Sequence, residues 1–471
     1  MITHLLSRYR PRYIRSLIYM LQSCEYNVRD YLEWYWRTKD FSWVERRKTL
    51  VKTLKVLILT ACAYAVLFLL VALAYIAFQF APIISLGIVI LAPYILAYGI
   101  IIPVWLAKLL QKPFEYVLVI RARKKLTRHK GLRIAIAGSF GKTSMREVLK
   151  TVLSEGKKVS APPFSHNTPI GICRFIEQLK GDEEVLIFEL GEYYPGDVMK
   201  LCTLINPEIG IITGVNEAHL QKFGTLEKTT GTIFELADYL KDRSVYVNGE
   251  NDMARKNALS NHILYSRDGA GDFGTEDLQT GLSGTNFMIV KGGTKSFVSS
   301  KLLGLHNVGP LIATAHIAYR LGFTDTEIKA GIGKTKAFNH RLEPNEDRNG
   351  VITIDDSYNG NPDGVHAIID FLSAIKGRRR WYVTPGLVEM GSRTKEVHLE
   401  IGKRLAEAGI EKTVLIKNSV TPYIAQGLQK GAYSGEILWY DNAPQAFSAL
   451  PHLTVKGDIV LLQNDWPDQY A

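Results

Sequence analysis

The sequence predicts an α/β protein in which two sheet domains follow a helical hairpin that crosses a membrane. Two long stretches near the start contain no charged residue, and these indicate the hairpin. From Gly131 onward, apolar runs of strand length alternate with helical patterns, which is typical of parallel sheets covered by helices. The chain has 471 residues, enough for about three units of ~150 residues each.

The hairpin is predicted from residues 56–78 and 83–106, each long enough to cross a bilayer at ~1.5 Å per residue. A link of a few residues joins them, so both ends should lie on the same side. We expect helices at about 54–80 and 82–108, the second kinked by Pro93 and Pro103, within an N-terminal region of residues 1–130. The alternative is a hairpin buried in a soluble core.

The distribution of charge predicts the orientation of the hairpin. Residues 1–53 carry 11 Lys/Arg against 5 Asp/Glu, and residues 111–130 carry 7 against 1. Basic flanks stay on the cytoplasmic side, so we expect a multi-pass protein of the inner membrane with its termini and catalytic domains cytoplasmic. The basic excess lies before the sheet domains, which favours anionic membrane lipid as a partner and argues against nucleic acid.

The segment before the first apolar stretch mixes aromatic and apolar side chains with arginines. This mixture suits helices lying in the membrane interface, or equally a small cytoplasmic cap packed on the next domain. The four cysteines lie far apart without metal-type spacing, which predicts reduced structural residues rather than a disulfide framework or a zinc site. They are Cys24, Cys62, Cys173 and Cys202.

A glycine-rich turn follows the apolar run at 134–137 and precedes a predicted helix at 145–155. Strand, glycine turn and helix form the context of a phosphate loop (P-loop), in which backbone N–H groups and a lysine bind phosphates and a hydroxyl holds Mg²⁺. We therefore predict a site for ATP and Mg²⁺. The alternative is a tight turn with a surface lysine, because the glycine of the ordinary spacing is replaced by Ile136. The turn consists of Gly138, Ser139, Phe140, Gly141, Lys142, Thr143 and Ser144.

Two further apolar runs, 185–191 and 209–215, each end in polar or glycine residues. Ligands collect at the carboxyl ends of parallel strands, so Glu189 and the segment 216–219 are expected beside the phosphate loop. Glu189 and His219 could then ligate Mg²⁺ or its waters. Taken singly, Glu189 could be a loop carboxylate and His219 a core histidine.

The order of these motifs, with others further along, resembles that of the Mur ligase family over residues 131–471. The motifs are Gly138-Ser139-Phe140-Gly141-Lys142-Thr143, Asn167-Thr168-Pro169-Ile170-Gly171, Glu189-Leu190-Gly191, Ala218-His219-Leu220, His306-Asn307, His340-Arg341-Leu342-Glu343 and Asp355-Asp356-Ser357-Tyr358-Asn359-Gly360-Asn361-Pro362. The resemblance implies an ATP-dependent ligase that activates a carboxylate as an acyl phosphate, which an amine then attacks. It also implies cell-wall chemistry, the addition of an amino acid or D-alanyl-D-alanine to a precursor peptide.

The resemblance also implies roles for single residues. Lys142 and Arg341 would contact the phosphates, Asn307 the adenine and Asp356 the ribose. The residues implied for the metals are Thr143, Glu189 and His219, and those implied for catalysis are Lys142, His219 and Arg341. Residues implied to line the substrate side are Asn167, Thr168, Ser357, Tyr358, Asn359 and Asn361.

The C-terminal part predicts a second, Rossmann-like α/β domain from a boundary near residue 338. This gives domains at 131–338 and 339–471, with Arg341 at the start of a mobile domain that closes over the acyl phosphate. A short β excursion is expected at 269–293. We predict strands at 350–356, 380–384, 413–416 and 458–462, and helices at 363–375 and 397–408.

The sequence departs from the family pattern at several points. A lysine that becomes carbamylated and bridges a second Mg²⁺ is replaced by Thr230, and a nearby glutamate by Thr232. The second asparagine of the adenine motif is Pro310, and a Lys-Gly-Ser-Arg pattern is replaced by residues 463–466. From these changes we expect that the second metal is held differently or is absent, and that the contacts to adenine and to the incoming substrate differ from those of the family.

The largest departure is that the membrane hairpin stands where the family has its uridine-binding domain. We therefore expect a lipid-linked or membrane-proximal acyl substrate. Two other classes of function remain open, a ligase of the same chemistry acting on a different acid and a degenerate ATP-binding scaffold.

Overall fold

The computed structural model describes residues 6–45, 49–163, 166–192, 194–216, 223–338, 341–357 and 360–464. Within this part of the chain, two compact units are formed, one by residues up to Val117 and one beginning at Leu118. The second unit holds both sheets, which we call the first and second sheet domains. The fold therefore has the predicted α/β class, with helices preceding two sheets.

The first unit is helical. Its two most apolar helices are long and apolar enough to cross a membrane by length and composition, the second running on to Arg128 with a break at Ile100. The first of them confirms the helix predicted at 54–80. The helices are α1 Tyr13–Ser23, α2 Val28–Arg37, α3 Leu54–Phe80, α4 Pro82–Gly99 and α5 Ile101–Arg128.

The predicted helix end near residue 108 was wrong, because helical structure continues to Arg128. Lysines and arginines limit a membrane span but do not stop a helix, since both have high helix propensity. Pro103 lies in the first turn of α5, where backbone N–H groups have no intrahelical acceptor. The missing N–H of proline therefore costs no hydrogen bond there, and Pro103 is compatible with a new helix beginning after Ile100.

The segment before the apolar stretches packs on them within the first unit. The hydroxyl of Tyr13 donates to the carbonyl of Pro93 at 2.9 Å, and the hydroxyl of Tyr31 donates to that of Ala97 at 2.9 Å. Ala97 lies in the last turn of α4, where carbonyls commonly lack an intrahelical donor. Helices α1 and α2 thus form one aromatic-rich core with α3 and α4.

The end of α5 belongs to the second unit, so the division lies at Val117 rather than at the predicted residue 130. Ala122 and Leu126 are buried there against the first sheet domain. Nζ of Lys125 donates to the carbonyls of Glu177 and Leu179 at 2.7 and 2.6 Å.

The first sheet domain is built on a ten-stranded sheet in the order β10-β9-β8-β7-β6-β5-β4-β1-β3-β2. Strand β1 pairs in parallel with both β3 and β4, so the carboxyl ends of these three strands meet at one edge. The parallel strands are β1 Leu132–Ala137, β2 Val159–Ser160, β3 Val185–Glu189, β4 Ile209–Ile212, β5 Ser244–Asn248 and β6 Ile263–Ser266.

Buried apolar residues lie on both faces of this sheet, which its helices cover. The predicted β excursion is confirmed, and it extends the same sheet in antiparallel fashion. Its strands are β7 Gly269–Ala270, β8 Phe273–Gly281, β9 Gly284–Lys291 and β10 Thr294–Ser300. The helices are α6 Lys142–Leu153, α7 Pro169–Gln178, α8 Asp197–Ile205, α9 Leu226–Leu240, α10 Asp252–Asn257, α11 Val308–Arg320 and α12 Asp325–Lys334.

The second sheet domain has six strands in the order β11-β12-β16-β13-β14-β15. The predicted strands and helices are present; the strand at 380–384 has the predicted ends, and the ends of the others differ by up to three residues. Four elements were not predicted, namely β11, α15, β15 and α16. The elements are β11 Glu343–Glu346, β12 Ile352–Asp356, α13 Pro362–Ala374, β13 Arg380–Thr384, α14 Thr394–Glu407, β14 Lys412–Ile416, α15 Thr421–Lys430, β15 Glu436–Tyr440, α16 Ala443–Leu453 and β16 Ile459–Gln463.

Candidate functional site

The glycine-rich turn joins β1 to α6 in a conformation that requires glycine. Gly138 and Gly141 have φ of 148° and 74°, in the region that other residues rarely adopt. A Cβ on Gly138 would meet Oγ1 of Thr213 at 2.2 Å. Helix α6 begins at Lys142, three residues earlier than predicted. Residues 142–144 therefore form its first turn, where backbone N–H groups lack intrahelical partners and can bind anions.

Lys142 is held by a carboxylate that the sequence reasoning missed. Its Nζ lies 2.6 Å from Oε1 of Glu192 and also contacts the carbonyl of Gly138. The side chain of Glu192 is only 3% exposed, and its Oε2 has no hydrogen-bond partner among the described residues. The available signal was an acidic residue three positions after Glu189, just beyond the end of β3.

Glu189 lies at the end of β3 beside the first turn of α6, as predicted. Oγ1 of Thr143 donates to Oε2 of Glu189 at 3.1 Å, and Nη1 of Arg146 lies 2.9 Å from Oε1. Burial raises the pKa of Glu189, and the charges of Arg146 and Lys142 oppose the shift. A hydroxyl and a buried carboxylate are oxygen ligands of the kind Mg²⁺ takes, so Thr143 and Glu189 fit this ion.

Three predicted site residues lie outside the described residues, namely His219, Tyr358 and Asn359. Thr230 and Thr232, which replace the lysine and glutamate of the family pattern, are buried in α9. Oγ1 of Thr230 donates to the carbonyl of Leu226 at 2.8 Å, and Oγ1 of Thr232 to that of Lys228 at 2.9 Å. Both hydroxyls are therefore satisfied by their own helix.

A cavity of about 220 Å³ opens between the phosphate loop and the second sheet domain. It brings together six residues that were predicted to bind nucleotide or substrate. Residues 334–338, which connect the two domains, line it as well. The predicted residues lining it are Gly141, Ser144, Asn307, Arg341, Asp356 and Asn361.

Two buried groups in this cavity have strongly shifted pKa values. Burial raises the pKa of Asp356 to about 7, and the Arg341 charge and the Leu342 backbone oppose that shift. Burial lowers the pKa of His306 to about 4, so this imidazole is neutral at pH 7. Nδ2 of Asn307 donates to the carbonyl of Leu303 at 2.8 Å, which fixes the turn before α11.

Two protein-family models match the sheet domains. The Mur ligase middle domain matches residues 136–318, and the Mur ligase glutamate ligase domain matches residues 340–463. The chain belongs to the Mur ligase family. This domain pair is that of ATP-dependent ligases that form carbon–nitrogen bonds. Residues 1–135 lie outside both matches.

Similar curated proteins carry the name UDP-N-acetylmuramoyl-tripeptide–D-alanyl-D-alanine ligase. The Bacillus subtilis protein is 25% identical over 332 residues, which are 70% of this chain and 72% of that protein. The Escherichia coli protein is 26% identical over 293 residues, 60% of this chain and 64% of that protein. The Borreliella burgdorferi protein is 29% identical over 294 residues, 60% and 62% respectively. The match thus spans less than two thirds of the last two relatives.

Solved structures of MurF ligases have a similar fold. The Thermotoga maritima enzyme in complex with ADP superposes with a TM-score of 0.65 at 25% identity, covering 74% of this chain and 80% of that chain. The Acinetobacter baumannii enzyme gives a TM-score of 0.66 at 20% identity, covering 76% and 78%.

The residues predicted on the substrate side of this Mur ligase make internal contacts. Oγ1 of Thr168 accepts from the N–H of Gly171 at 3.3 Å and caps α7, while the carbonyl of Asn167 accepts from Gly191 at 2.9 Å. The Asn167 contact places it beside the segment 189–192. The N–H of Ser357 donates to Oδ1 of Asp355 at 3.0 Å.

Asn361 caps α13, because its Oδ1 accepts from the N–H of Gly364 at 3.0 Å. The same oxygen accepts from Nδ2 of Asn216, a residue that the sequence reasoning did not single out as a domain contact. The backbone N–H of Asn216 donates to Oγ of Ser139 at 3.3 Å, so Asn216 also contacts the phosphate loop.

The unusual residues at the end of β16 bond to a neighbouring strand and to a neighbouring loop. Oε1 of Gln463 accepts from the hydroxyls of Tyr382 and Thr384 at 3.3 and 3.1 Å. Oδ1 of Asn464 accepts from the N–H of Gly360 at 3.0 Å. Asn464 therefore holds the loop that carries Asn361, while Gln463 bonds to side chains of β13. Residues 465 and 466 lie outside the described part.

Proposed function

We propose that this chain is a membrane-anchored ligase that joins a carboxylate to an amine at the expense of ATP. The observation that carries the proposal is the cavity in which Arg341 and Asp356 of the glutamate ligase domain face the phosphate loop. A domain that closes over a phosphate loop can hold the nucleotide from two sides and exclude water from a reactive acyl phosphate.

Several groups of this chain would act on the nucleotide. The N–H groups at the start of α6 and the charges of Lys142 and Arg341 would bind phosphate oxygens, and Asp356 would accept from a ribose hydroxyl. Lys142 has to exchange Glu192 for a phosphate oxygen on binding. Thr143 and Glu189 would hold Mg²⁺, with His219 as a further proposed ligand. When bound, this ion supplies charge neutralisation on the transferred phosphoryl group.

The reaction has two balanced steps. In the first, a carboxylate oxygen of the acid attacks the γ-phosphorus of ATP, so a C–O–P linkage forms and ADP leaves. In the second, the amine nitrogen attacks the acyl carbon, so the C–N bond forms, phosphate leaves and the amine loses a proton. Because the described residues of the site offer positioned charges, the contribution of the chain is orientation and electrostatic stabilisation.

The substrates are proposed from the relatives. Their name describes the joining of D-alanyl-D-alanine to a UDP-linked muramoyl tripeptide. We extend that peptide chemistry of peptidoglycan synthesis to this chain, but with a lipid-linked or membrane-proximal carrier for the acid. The reason is that residues 1–135, outside both family matches, supply apolar helices.

The membrane proposal rests on composition and exposure. Helices α3 and α4 leave large apolar side chains exposed along their length, such as Phe68, Phe80 and Ile83. Basic flanks precede and follow them. We propose that lipid covers these side chains and that both sheet domains lie on the cytoplasmic side.

A second candidate keeps the same chemistry with a different acid. The observation that favours a change of substrate is that Gln463 and Asn464 replace the family pattern at the end of β16, with Asn464 bonded to the loop at Gly360. A scaffold that binds ATP without turnover is the third candidate, suggested by the loss of the lysine at Thr230.

The test is phosphate release by the detergent-solubilised full chain with ATP, Mg²⁺ and D-alanyl-D-alanine. Muramyl tripeptide is supplied on a uridine nucleotide in one reaction and on a polyprenyl carrier in another. We expect release that requires both acid and amine and is faster with the polyprenyl carrier. Equal rates with both carriers would contradict the lipid-linked substrate, and no release with any acid–amine pair would favour the scaffold.

A further inference from the structure

Glu192 is a buried carboxylate with one oxygen in use and one without a partner. Oε1 lies 2.6 Å from Nζ of Lys142, and Oε2 is enclosed without a hydrogen-bond donor among the described residues. Buried carboxylate oxygens in native structures are normally paired, so an orphaned one points to a missing ligand. The family resemblance assigned no role to this residue.

Two cations beside the phosphate loop, Lys142 and Arg146, form ion pairs with its carboxylates, and Arg146 also pairs with Glu147 at 2.7 Å. Glu192 pairs with Lys142, and Glu189 pairs with Arg146 at 2.9 Å. The charge of Lys142 also acts on Glu189, which places Lys142 near both carboxylates. Each of these buried carboxylates therefore depends on a cation close to the loop.

Nucleotide binding would remove one of those cations. If Lys142 turns to the phosphates, as the proposed function requires, Glu192 is left as a buried charge without its partner. Such a charge is strongly unfavourable unless another cation replaces the first. A divalent ion is a suitable replacement, because it takes carboxylate oxygens and would also neutralise the arriving phosphates.

Helix α9 offers no anionic ligand at the position where the family pattern has its lysine, because Thr230 and Thr232 stand there. The hydroxyls of Thr230 and Thr232 both donate to carbonyls of their own helix. A second cation at this site would thus need its carboxylate from elsewhere, and Glu192 is buried beside Lys142 with a spare oxygen.

We propose that Glu192 is a ligand of a second divalent cation, which binds only together with the nucleotide. The first cation lies at Thr143 and Glu189, and the second takes Oε2 of Glu192 once Lys142 has moved to the phosphates. This inference rests on the proposed function, since it requires a nucleotide in the cavity. Glu192 thereby alternates between two partners, Lys142 in the empty site and a metal in the filled one.

The experiment counts bound Mn²⁺ by the loss of its free electron paramagnetic resonance signal, using the detergent-solubilised full chain with a non-hydrolysable ATP analogue. We expect two Mn²⁺ per wild-type chain. Glu192→Gln should retain one, with the second at least about tenfold weaker. The matched control is Glu208→Gln, which alters a different ion pair, that of Glu208 with Arg133, at the opposite end of the sheet.

The outcomes separate this inference from the proposed function. Analogue binding with one Mn²⁺ in the wild type, or with two in Glu192→Gln, would overturn the role of Glu192 and leave the ATP site intact. Failure of the wild type to bind the analogue at all would overturn both. If Glu192→Gln does not fold, Glu192→Asp is used instead, because it keeps the negative charge on a shorter side chain. Unchanged affinity for the second Mn²⁺ in Glu192→Asp would also count against the proposal.

Discussion

Nδ2 of Asn216 lies 2.9 Å from Oδ1 of Asn361, and this hydrogen bond joins the Mur ligase middle domain to the glutamate ligase domain. The same nitrogen donates to Oδ2 of Asp363 at 2.8 Å. Burial raises the pKa of Asp363, and the hydrogen bond from Asn216 opposes that shift. Because Asn216 also contacts Ser139, it links the phosphate loop to the domain that carries Arg341.

Asn216→Ala should lower kcat/KM for ATP about tenfold, because a buried hydrogen-bond pair typically contributes about 1–3 kcal/mol when one partner is removed. The melting temperature should change little, since neither domain core is altered. Steady-state phosphate release as a function of ATP checks this. Asn257→Ala is the control, because the amide nitrogen of Asn257 donates to the carbonyl of Met253 within α10. An unchanged kcat/KM in Asn216→Ala would show that the contact does not matter for closure.

Lys142→Ala should reduce turnover at least about a hundredfold, because a preorganised charge on the transferred phosphoryl group is lost. Phosphate release under saturating ATP checks the loss. Lys157→Ala is the matched control, since Lys157 pairs with Glu184 in a part-exposed ion pair away from the loop. Turnover within a few-fold of wild type in Lys142→Ala would refute the assignment of the phosphate loop.

Asp356 predicts a pH dependence of stability. Its pKa is raised by burial to about 7 from 3.8, so the folded state keeps a proton that the unfolded state loses between these values. Stability should therefore fall as the pH rises from about 4 to 7, by at most about 1.4 kcal/mol per pH unit, and then level off. Melting curves of the wild type and Asp356→Asn at pH 5, 6, 7 and 8 check this. The decline should be smaller in the variant, and equal slopes would contradict the assignment.

The hairpin predicts that the link between α3 and α4 faces the outside of the cell. A single Ala81→Cys substitution should be labelled by a membrane-impermeant maleimide in intact cells. The unmodified chain is the blank, because Cys24, Cys173 and Cys202 are buried and Cys62 is half-buried within α3. Labelling of Ala81→Cys only after lysis would contradict the orientation proposed from the basic flanks.

Much of the fold could be predicted because its signals are local. The apolar run of β1, the glycines at 138 and 141 and the helix that follows lie within some twenty residues of sequence. The first apolar helix was predicted at 54–80 and is observed at Leu54–Phe80. Strand β15 was missed because Trp439 and its neighbours are part-exposed on an edge strand, where the apolar pattern is weak.

The site could be predicted only in part, because some of its contacts depend on residues distant in sequence. Glu192 meets Lys142 across fifty positions, and Asn216 meets Asn361 across 145. No pattern in a single sequence reports such pairs. The family motifs did predict residues lining the cavity, such as Asn307, Arg341 and Asp356. They gave no account of how Asn361 serves as a helix cap.

If ATP activates the carboxylate of the acid, one oxygen atom of that carboxylate must end in the released phosphate, and isotope labelling can follow it. An acid substrate labelled with ¹⁸O in its reacting carboxylate is incubated with the solubilised chain, ATP, Mg²⁺ and D-alanyl-D-alanine, and the released phosphate is analysed by mass spectrometry. An acyl phosphate transfers one ¹⁸O to phosphate for each amide formed, and this is the predicted result. Amide formation with unlabelled phosphate, or phosphate release that does not depend on the acid, would contradict the account.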